Sequence, residues 1–491
     1  MKKCLLFVLV ISTLNVFAQK KTKPGVFAKT ITPADLSRHL HIVASAEMEG
    51  RETATPGQKK AAAYIEAQFR SIGLQPGNNG SYQINFPVYQ DSLLSATLEV
   101  NGKSFELDRD FNPSIASNLD ATLRFSEAVY IPANTPADSV RNMNLTGKLI
   151  LFSGNAPQGR NSGSPVFSVL QNKGAGAILF VQSNYPRPGS SRKGNQMVSL
   201  FRRNITPQQY TVSNQVLESI IGTEKTKANS VQVYQAQVLL QTKKTTLTAE
   251  SSNVIGILPG TDLKDQYLFI TAHYDHLGKR GDSVIYYGAD DDGSGTVSVI
   301  EIAEAFAKAK AAGKPQRRTI VFMTVSGEEK GLWGSDYYSS HPVYPLEKTT
   351  ANLNIDMIGR SDAERKGDTL NYVYVVGDDK LSSDLRPISE SINKKYTRLQ
   401  LDYKFNDPKD PNRIYFRSDH YNFAKKGVPI IFYYDGMLKS DYHKPTDTPD
   451  KINYNLLARR AQLVFYTAWE MANRNEMLKR DIPLDPASLT R

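Results

Sequence analysis

Five polar motifs in the second half of the chain carry residue types that could do chemistry, and each follows an apolar run. They are AHYDHLG (272–278), GADDDGSG (288–295), SGEEKGLWGS (326–335), NIDMIGR (354–360) and YHKPTDT (442–448). Because ligands of an open α/β sheet bind beyond the carboxyl ends of its strands, we expect these motifs to meet in one cleft. Imidazoles and carboxylates without a thiolate are typical ligands of zinc, with manganese or cobalt as less favoured alternatives.

The number of carboxylates in these motifs has an electrostatic consequence. Four or five of them in one cleft would repel strongly unless cations lay between them. Two divalent ions that share one carboxylate would relieve this repulsion and form a hydrolytic centre. Taken singly, Glu328-Glu329 is typical of a solvated loop, and Asp290-Asp291-Asp292 before Gly-Ser-Gly fits a turn and helix cap. Their shared position after successive apolar runs favours the metal site.

The elements that must position these motifs are indicated by the apolar pattern. Near-continuous apolar runs, typical of strands buried in a parallel sheet, occur at 267–272, 319–325, 372–376 and 429–434. Between the first two runs, Val299, Ile302, Ala303 and Phe306 have the spacing of one helix face, and a last helix is expected over 454–478. We therefore predict an α/β fold with a mostly parallel twisted sheet flanked by helices.

The first half of the chain has a different pattern. A helix is expected from Thr32 and another from about Pro56 to Gly73, followed by alternating strands over 81–107. Residues 122–245 contain short apolar runs separated by Gly, Ser, Asn and Pro, in a strand–helix–strand pattern, and are predicted to form an inserted smaller domain of β-rich or α+β type. The predicted domains are a leader (1–18), the first part of the main domain (19–121), the insert (122–245) and the rest of the main domain (246–491).

The N-terminus has the features of an export leader. Lys2 and Lys3 precede an apolar stretch over 5–16, and the tripeptide VFA at 16–18 resembles a cleavage site. The apolar stretch is shorter than the ~20 residues that span a bilayer. An uncleaved anchor is the alternative. We expect an exported protein, periplasmic or secreted, with no stable membrane insertion after cleavage.

Composition and charge limit the classes of function. Hydrophobic residues make up 40% and charged residues 22%, which are globular values, and the single cysteine excludes a disulfide framework or a Cys-rich metal site. The net charge is +11, with the basic excess concentrated in residues 122–245. The basic stretch 187–203 is interleaved with Pro, Gly and Ser rather than with stacking aromatic residues, so we expect no nucleic-acid partner. A solvated loop is expected there, and attraction to acidic substrates is the alternative.

In order and in residue type, the five motifs resemble those of the co-catalytic zinc aminopeptidase family, which also includes the glutamate carboxypeptidase II-like peptidases. The segment EMEGRETATPGQKKAAAYI (47–65) is also similar to this family. The insert, with TGKLILFSG and NKGAGAILFV, resembles the protease-associated domain. The resemblance covers nearly the whole mature chain. It implies a zinc aminopeptidase-like fold, two Zn²⁺ ions and peptide substrates.

The resemblance also implies which residues hold the two zinc ions. The ligand sets are His273, Asp291 and Asp356 for one ion, and Asp291, Glu329 and His443 for the other. Asp291 would bridge the ions because it stands two residues before the Gly-Ser-Gly, and Asp290 is the competing candidate. Members of the family often have a cis peptide bond after the bridging aspartate, which makes Asp291–Asp292 a candidate.

Three further residues receive roles from the resemblance. Asp275 would orient the zinc-binding ring of His273. Glu328 would be the general base, which takes a proton from the zinc-bound water and then protonates the leaving amine. Tyr442 would help to bind the oxyanion, although a buried structural tyrosine is an equal alternative. The remaining histidines are expected to lie beside the ligands (His276, His420) or to serve packing and surface roles (His39, His41, His341).

We therefore interpret the sequence as that of an exported zinc-dependent exopeptidase, an aminopeptidase that hydrolyses the amino-terminal peptide bond. Alternatives of the same fold are a single-zinc glutaminyl cyclase and a carboxypeptidase or dipeptidase. A non-catalytic binding protein would lack ligands, whereas every ligand type is present here. A serine hydrolase, a zincin and an NTPase are disfavoured because G-x-S-x-G, H-E-x-x-H and a P-loop are absent from the sequence.

Overall fold

The structure is a computed structural model, which describes residues 24–154, 165–182, 185, 191–201, 205–223, 230–407 and 409–484. The predicted leader (1–18) lies outside the described residues, as do both ends of the basic stretch 187–203. The chain divides into two compact units. The first unit comprises Met1–Ile84 and Asn253–Arg491, and the second comprises Asn85–Ser252.

The first unit is built around a mixed, mostly parallel sheet. In order across the sheet, its strands are Gln400–Asp402, Tyr372–Val376, Ile430–Tyr434, Thr349–Ile355, Leu263–His273, Arg318–Val325, the end of Gln232–Leu258 and the short strand Gln75–Pro76. Among these described strands, the pairs on either side of Leu263–His273 are parallel. Tyr372–Val376 pairs parallel with Gln400–Asp402 and antiparallel with Ile430–Tyr434, and Gln232–Leu258 pairs antiparallel with Arg318–Val325. The predicted fold class is confirmed. The predicted apolar runs 267–272, 319–325 and 372–376 each lie within one of these strands, and the run 429–434 begins one residue before Ile430–Tyr434.

Helices cover the sheet with the faces that the sequence pattern indicates. In Gly295–Ala311, the side chains of Val299, Ile302, Ala303 and Phe306 are all buried in one core cluster. The longer helices of this unit are Pro33–Val43, Pro56–Ile72, Gly295–Ala311, Trp333–Ser340, Leu385–Tyr396 and Tyr454–Asn473. Short helical segments are Gly25–Ala28, Ala46–Arg51, Ala289–Ser294, Leu346–Lys348, Lys404–Asn406, Ile414–Phe416, His420–Ala424 and Pro449–Lys451.

The ends of these helices have local causes. Thr32 and Thr55 each accept a hydrogen bond from a backbone N–H of the first turn, and a proline follows each threonine. The predicted stop at Gly73 is confirmed, since this glycine takes the left-handed conformation with φ 84°. The last helix ends at residue 473 rather than at the predicted 478. Arg318 accounts for this end, because its guanidinium donates to the carbonyl groups of Met471 and Arg474.

The second unit has its own core of strands and short helices. Its strands are Gln83–Val100, Lys103–Phe105, Phe111–Pro113, Ala121–Ile131, Leu149–Phe152, Ala177–Val181, Lys193–Met197, Gln208–Val212 and the first part of Gln232–Leu258. Its helices are Ala137–Arg141, Pro165–Gln171 and Asn214–Ile221. The predicted strand–helix–strand pattern is confirmed, with Leu149–Phe152 parallel to Ala177–Val181. The predicted insert, 122–245, falls inside this unit, which begins at Asn85.

Within the described part of the chain, no helix is both long enough and apolar enough to cross a membrane.

Candidate metal centre

The ends of three neighbouring parallel strands bring the predicted ligands together. His273 is the last residue of Leu263–His273, Asp356 directly follows Thr349–Ile355, and Glu328 stands three residues after Arg318–Val325. The Nε2 atom of His273 lies 3.6 Å from Asp356 Oδ1 and 3.9 Å from Glu328 Oε2. The expectation that these motifs meet at one edge of the sheet is therefore met.

Asp291 has the geometry of a bridging carboxylate. Its Oδ1 lies 3.2 Å from His273 Nε2, and its Oδ2 lies 3.2 Å from His443 Nε2. Glu329 Oε2 lies 3.0 Å from the same His443 nitrogen. By contrast, Asp290 points elsewhere, since its Oδ1 accepts a hydrogen bond from the backbone N–H of Gly359 at 2.8 Å. Between the two competing aspartates, the structure places Asp291 between the two histidines.

Unpartnered polar atoms show that these residues fit a cation. Among the described residues, His273 Nε2, Asp291 Oδ2 and Glu329 Oε1 are buried and have no hydrogen-bond partner. Buried polar groups are almost always hydrogen-bonded, and an uncompensated buried charge is costly. The donor set of imidazole and carboxylate suits zinc. The ligand atoms of His273, Asp291 and Asp356 also lie within 4.8 Å of one another, a spacing that one metal ion can hold.

The bridging loop is braced by a residue that the sequence analysis did not single out. The carboxylate of Asp292 accepts from the backbone N–H groups of His273 (3.2 Å), Gly295 (2.9 Å) and Met357 (3.0 Å). It therefore ties together three of the five motifs. The Asp291–Asp292 peptide bond is cis, as the resemblance implied. The third acidic residue of the triplet was the available signal, but no local rule says which backbone groups it reaches.

The Glu-Gly-Arg turn before the helix Pro56–Ile72 also holds the backbone of the loops around the candidate metal centre. The buried guanidinium of Arg51 donates to the carbonyl groups of Tyr274 (2.7 Å), Tyr287 (2.7 Å) and Gly288 (2.9 Å). Gly50 permits this approach, because a Cβ there would lie 2.4 Å from a backbone oxygen. Arg51 thus fixes the backbone on both sides of the metal-binding loops.

The motif of His443 also supports the bridging aspartate. Asp447, four residues after His443, accepts hydrogen bonds from the backbone N–H groups of Asp290 and Asp291, with Oδ2 at 3.0 and 3.1 Å. Asp441, two residues before it, pairs with Arg360 at 2.9 Å and with Lys451 at 2.8 Å. The loop that carries His443 is therefore held at both ends.

Asp275 lies beside His273 and contacts other residues as well. Its carboxylate accepts from the Thr53 hydroxyl (2.8 Å) and from the Glu328 backbone N–H (3.2 Å). The Nδ1 atom of His273 is 3.7 Å from this carboxylate and 3.1 Å from the Asp275 carbonyl oxygen. The carbonyl is therefore the nearer partner of the imidazole, and the carboxylate positions the backbone of Glu328.

Glu328 and Tyr442 both line the cleft above the ligands. Burial raises the pKa of the Glu328 carboxyl well above its ordinary value, although His273 opposes the rise. The Tyr442 hydroxyl accepts a hydrogen bond from Arg417 Nη2 at 2.9 Å, and its ring stacks on His443. Burial raises the pKa of Tyr442, so this hydroxyl stays neutral and able to donate.

The other histidines separate into two kinds. His39 Nδ1 is bonded to the Tyr64 hydroxyl at 2.6 Å, and His420 Nε2 to the Tyr415 carbonyl at 2.8 Å, while His41 and His341 are exposed. His276 differs from these four, because its ligand atom groups with those of Asp291 and Glu329. From the sequence, His276 was expected to lie beside the ligands and not among them.

The chain is similar in sequence to a known peptidase family and to curated aminopeptidases. Residues 253–468 match the sequence profile of Peptidase family M28. Over 227 residues the chain is 30% identical to a probable leucine aminopeptidase of Arthroderma otae, covering 45% of this chain and 58% of that protein. The chain therefore spans less than two thirds of that relative's length.

Solved structures show the same fold. The aminopeptidase from Aneurinibacillus sp. strain AM-1 has a TM-score of 0.57 at 19% identity, over 94% of this chain and 100% of that one. BSAP, a zinc aminopeptidase from Bacillus subtilis, has a TM-score of 0.53 at 20% identity, over 93% of this chain and 98% of its own. At these identities the likeness establishes the architecture alone.

Proposed function

We propose, on the premise that residues 253–468 belong to peptidase family M28, that the protein is an exported zinc aminopeptidase with a two-metal site. One observation carries the proposal: the two oxygens of Asp291 face His273 and His443 at 3.2 Å each. A carboxylate in this position can bridge two cations. Asp356 completes the ligand set on one side and Glu329 on the other.

The chain's own residues supply the acid–base chemistry. Bound zinc ions would polarise the scissile carbonyl and lower the pKa of the attacking water towards ~7. Glu328, held by the contact of its backbone with Asp275, accepts the proton of that water and returns it to the leaving amine. The Tyr442 hydroxyl, oriented by Arg417, donates to the oxygen on which negative charge develops.

The residues that line the cleft support binding of the amino-terminal residue of a peptide substrate. The acidic side chains of Glu328 and Asp356 would receive the substrate ammonium. The rest of the lining is largely apolar and would receive its side chain: Met357, Ile414, Phe432, Tyr434 and Leu438. We therefore propose apolar amino-terminal residues as the preferred substrates.

Two parts of the proposal concern the rest of the chain. The second unit, Asn85–Ser252, is proposed to be a protease-associated domain, on the strength of its strand–helix–strand core and the motifs TGKLILFSG and NKGAGAILFV. The leader at 1–18 is proposed to direct export to the periplasm or the medium.

The test is the zinc content of the purified mature protein combined with hydrolysis of a panel of aminoacyl amides. Two zinc ions per chain and chelator-sensitive release of apolar amino-terminal residues are expected. The matched control is the same panel with acetylated amines, which an aminopeptidase leaves intact. One ion per chain with cyclisation of amino-terminal glutamine would replace the proposal by a glutaminyl cyclase. Release of the carboxy-terminal residue from acetylated peptides with a free carboxylate would replace it by a carboxypeptidase-like activity.

A further inference from the structure

His276 is a buried imidazole whose ring nitrogens meet no hydrogen-bond geometry with the described residues. The residue has 0% exposure, and neither ring nitrogen has a hydrogen-bond partner among the described residues. Its Nδ1 atom nevertheless lies 2.7 Å from Glu329 Oε1 and 3.9 Å from Asp291 Oδ2. These two carboxylates are the ones that also face His443.

A short N···O separation without hydrogen-bond geometry has a specific physical meaning. Two atoms that coordinate the same zinc ion at ~2.0–2.2 Å lie roughly 3 Å apart, with both lone pairs directed at the ion and not at each other. His273 Nε2 shows the same combination beside Asp291 Oδ1, at 3.2 Å and without a hydrogen bond. His276 therefore shows the same combination of features as His273, which is one of the proposed ligands.

The ring positions leave room for two imidazoles on one ion. The rings of His276 and His443 have centroids 5.9 Å apart and planes inclined by 70°, so they approach the two carboxylates from different directions. The backbone of Gly288 packs against His276, where a Cβ would lie 2.5 Å from Cγ of the ring. The ring is therefore held in place by packing and does not depend on a hydrogen bond.

We propose that His276 Nδ1 is a ligand of the metal ion held by Asp291, Glu329 and His443. This inference rests on the two-metal site of the proposed function and adds an imidazole to it. The two ions are then unequal: one has His273 as its single imidazole, and the other has both His276 and His443. Because imidazole favours zinc over magnesium, calcium and manganese, the second position is the more zinc-selective of the two.

The direct test is zinc X-ray absorption of the two-zinc protein, which counts imidazoles around the metal. Three imidazoles across two ions are expected for the wild type, and His276→Gln should reduce the number to two. Zinc binding in buffers of graded free zinc gives a second readout. His276→Gln should weaken the binding of one of the two ions by more than the ~10- to 100-fold that is typical of losing a residue that only orients a ligand, and should leave the other ion unchanged.

Glutamine keeps a hydrogen-bond donor, so this variant separates a ligand from a residue that only orients Glu329. If His276 only donates a hydrogen bond to Glu329, the wild type has two imidazoles and the variant keeps its zinc affinity, which would overturn the inference. His276→Asp retains a ligand-type side chain and should recover part of the zinc affinity, which distinguishes lost ligation from misfolding. His41→Ala, an exposed histidine, is the matched control. A wild type without zinc would overturn the proposed function itself.

Discussion

Two buried carboxylates in different parts of the molecule have opposite surroundings. In the second unit, the side chain of Asp91 is 8% exposed and accepts from Lys244 Nζ at 2.6 Å and from the Thr246 hydroxyl at 3.0 Å. Lys244 also donates to the carbonyl groups of Ile115 and Asn118. In the first unit, the Asp291 side chain is 4% exposed, and its Oδ2 has no hydrogen-bond partner among the described residues.

The comparison shows that a buried carboxylate can have either a structural or a functional role. The Asp91–Lys244 pair carries its counter-charge within the protein, so its contribution is to the stability of the second unit. Asp291 and Glu329 have neighbours of the ligand type but lack the hydrogen bonds that burial normally requires. The negative charge of such a site is balanced when a cation binds. Because Asp91 and Asp291 are both buried, burial alone does not distinguish a functional carboxylate from a structural one.

The largest expected effect separates catalysis from ligation inside the site. Glu328→Gln should lower kcat by about 10³-fold or more, because the general base is lost. Zinc content should stay near two ions per chain, because the atoms without partners belong to other residues. Turnover of aminoacyl amides and metal analysis of the same sample provide the measurement. Glu329→Gln is the matched variant and should lose zinc. Zinc loss in Glu328→Gln but not in Glu329→Gln would mean that Glu328 is the ligand and Glu329 is the general base.

The second prediction concerns the Asp91–Lys244 pair in the second unit. Lys244→Met should lower the free energy of unfolding of the second unit by about 3 kcal/mol, because Asp91 is left buried and unpaired. Both tryptophans, Trp333 and Trp469, lie in the first unit. Circular dichroism should therefore detect the change in denaturation, while the tryptophan transition stays in place.

Two further variants sharpen this test. Lys243→Met, at an exposed neighbouring position, should leave denaturation unchanged. Asp91→Asn combined with Lys244→Met should be less destabilising than Lys244→Met alone, because no unpaired charge remains. Loss of zinc in Lys244→Met would contradict the separation of the two regions.

The third effect concerns Tyr442, whose role the sequence left open. Tyr442→Phe should lower kcat about 100-fold with little change in KM if the hydroxyl stabilises the developing oxyanion. Steady-state kinetics on aminoacyl amides provide the measurement, with Tyr396→Phe, remote from the cleft, as the control. An unchanged kcat would show that Tyr442 has only a structural role, through its contacts with His443 and Arg417.

The smallest effect is the stabilisation by zinc itself. At free zinc 100-fold above the dissociation constant, one ion adds about 2.7 kcal/mol to the stability of the unit that binds it. Chelation should therefore lower the tryptophan-detected melting temperature, and zinc should restore it. Magnesium serves as the control ion. An equal loss of amide-exchange protection in Asn85–Ser252 would show that the two regions are not independent.

Much of the fold follows from local pattern. The apolar runs at 267–272 and 319–325 predict strands because a strand buried on both faces needs apolar side chains at every position. Thr32-Pro33 and Thr55-Pro56 predict helix starts because the threonine oxygen and the proline ring act within one turn. The last helix was predicted too long, because Arg318 caps it from a distant strand.

The ligand types were also accessible from the sequence, since His273, Asp291, Glu329, Asp356 and His443 recur after strands in order. The hydrogen-bond partners that hold the backbone around these ligands could not be predicted from the sequence. The bonds of Arg51 to Tyr274 and Gly288, and of Asp447 to Asp291, join residues more than 150 positions apart. No periodicity in the sequence encodes such pairs.

The architecture, the chemistry of the donor set and the order of the motifs could therefore be predicted from residue type and short-range spacing. Only the tertiary structure decided that Asp291 and not Asp290 stands between the histidines, and that His276 points at Glu329. Both depend on the direction of a side chain. That direction is set by packing and by hydrogen bonds to backbone that arrives from elsewhere in the chain.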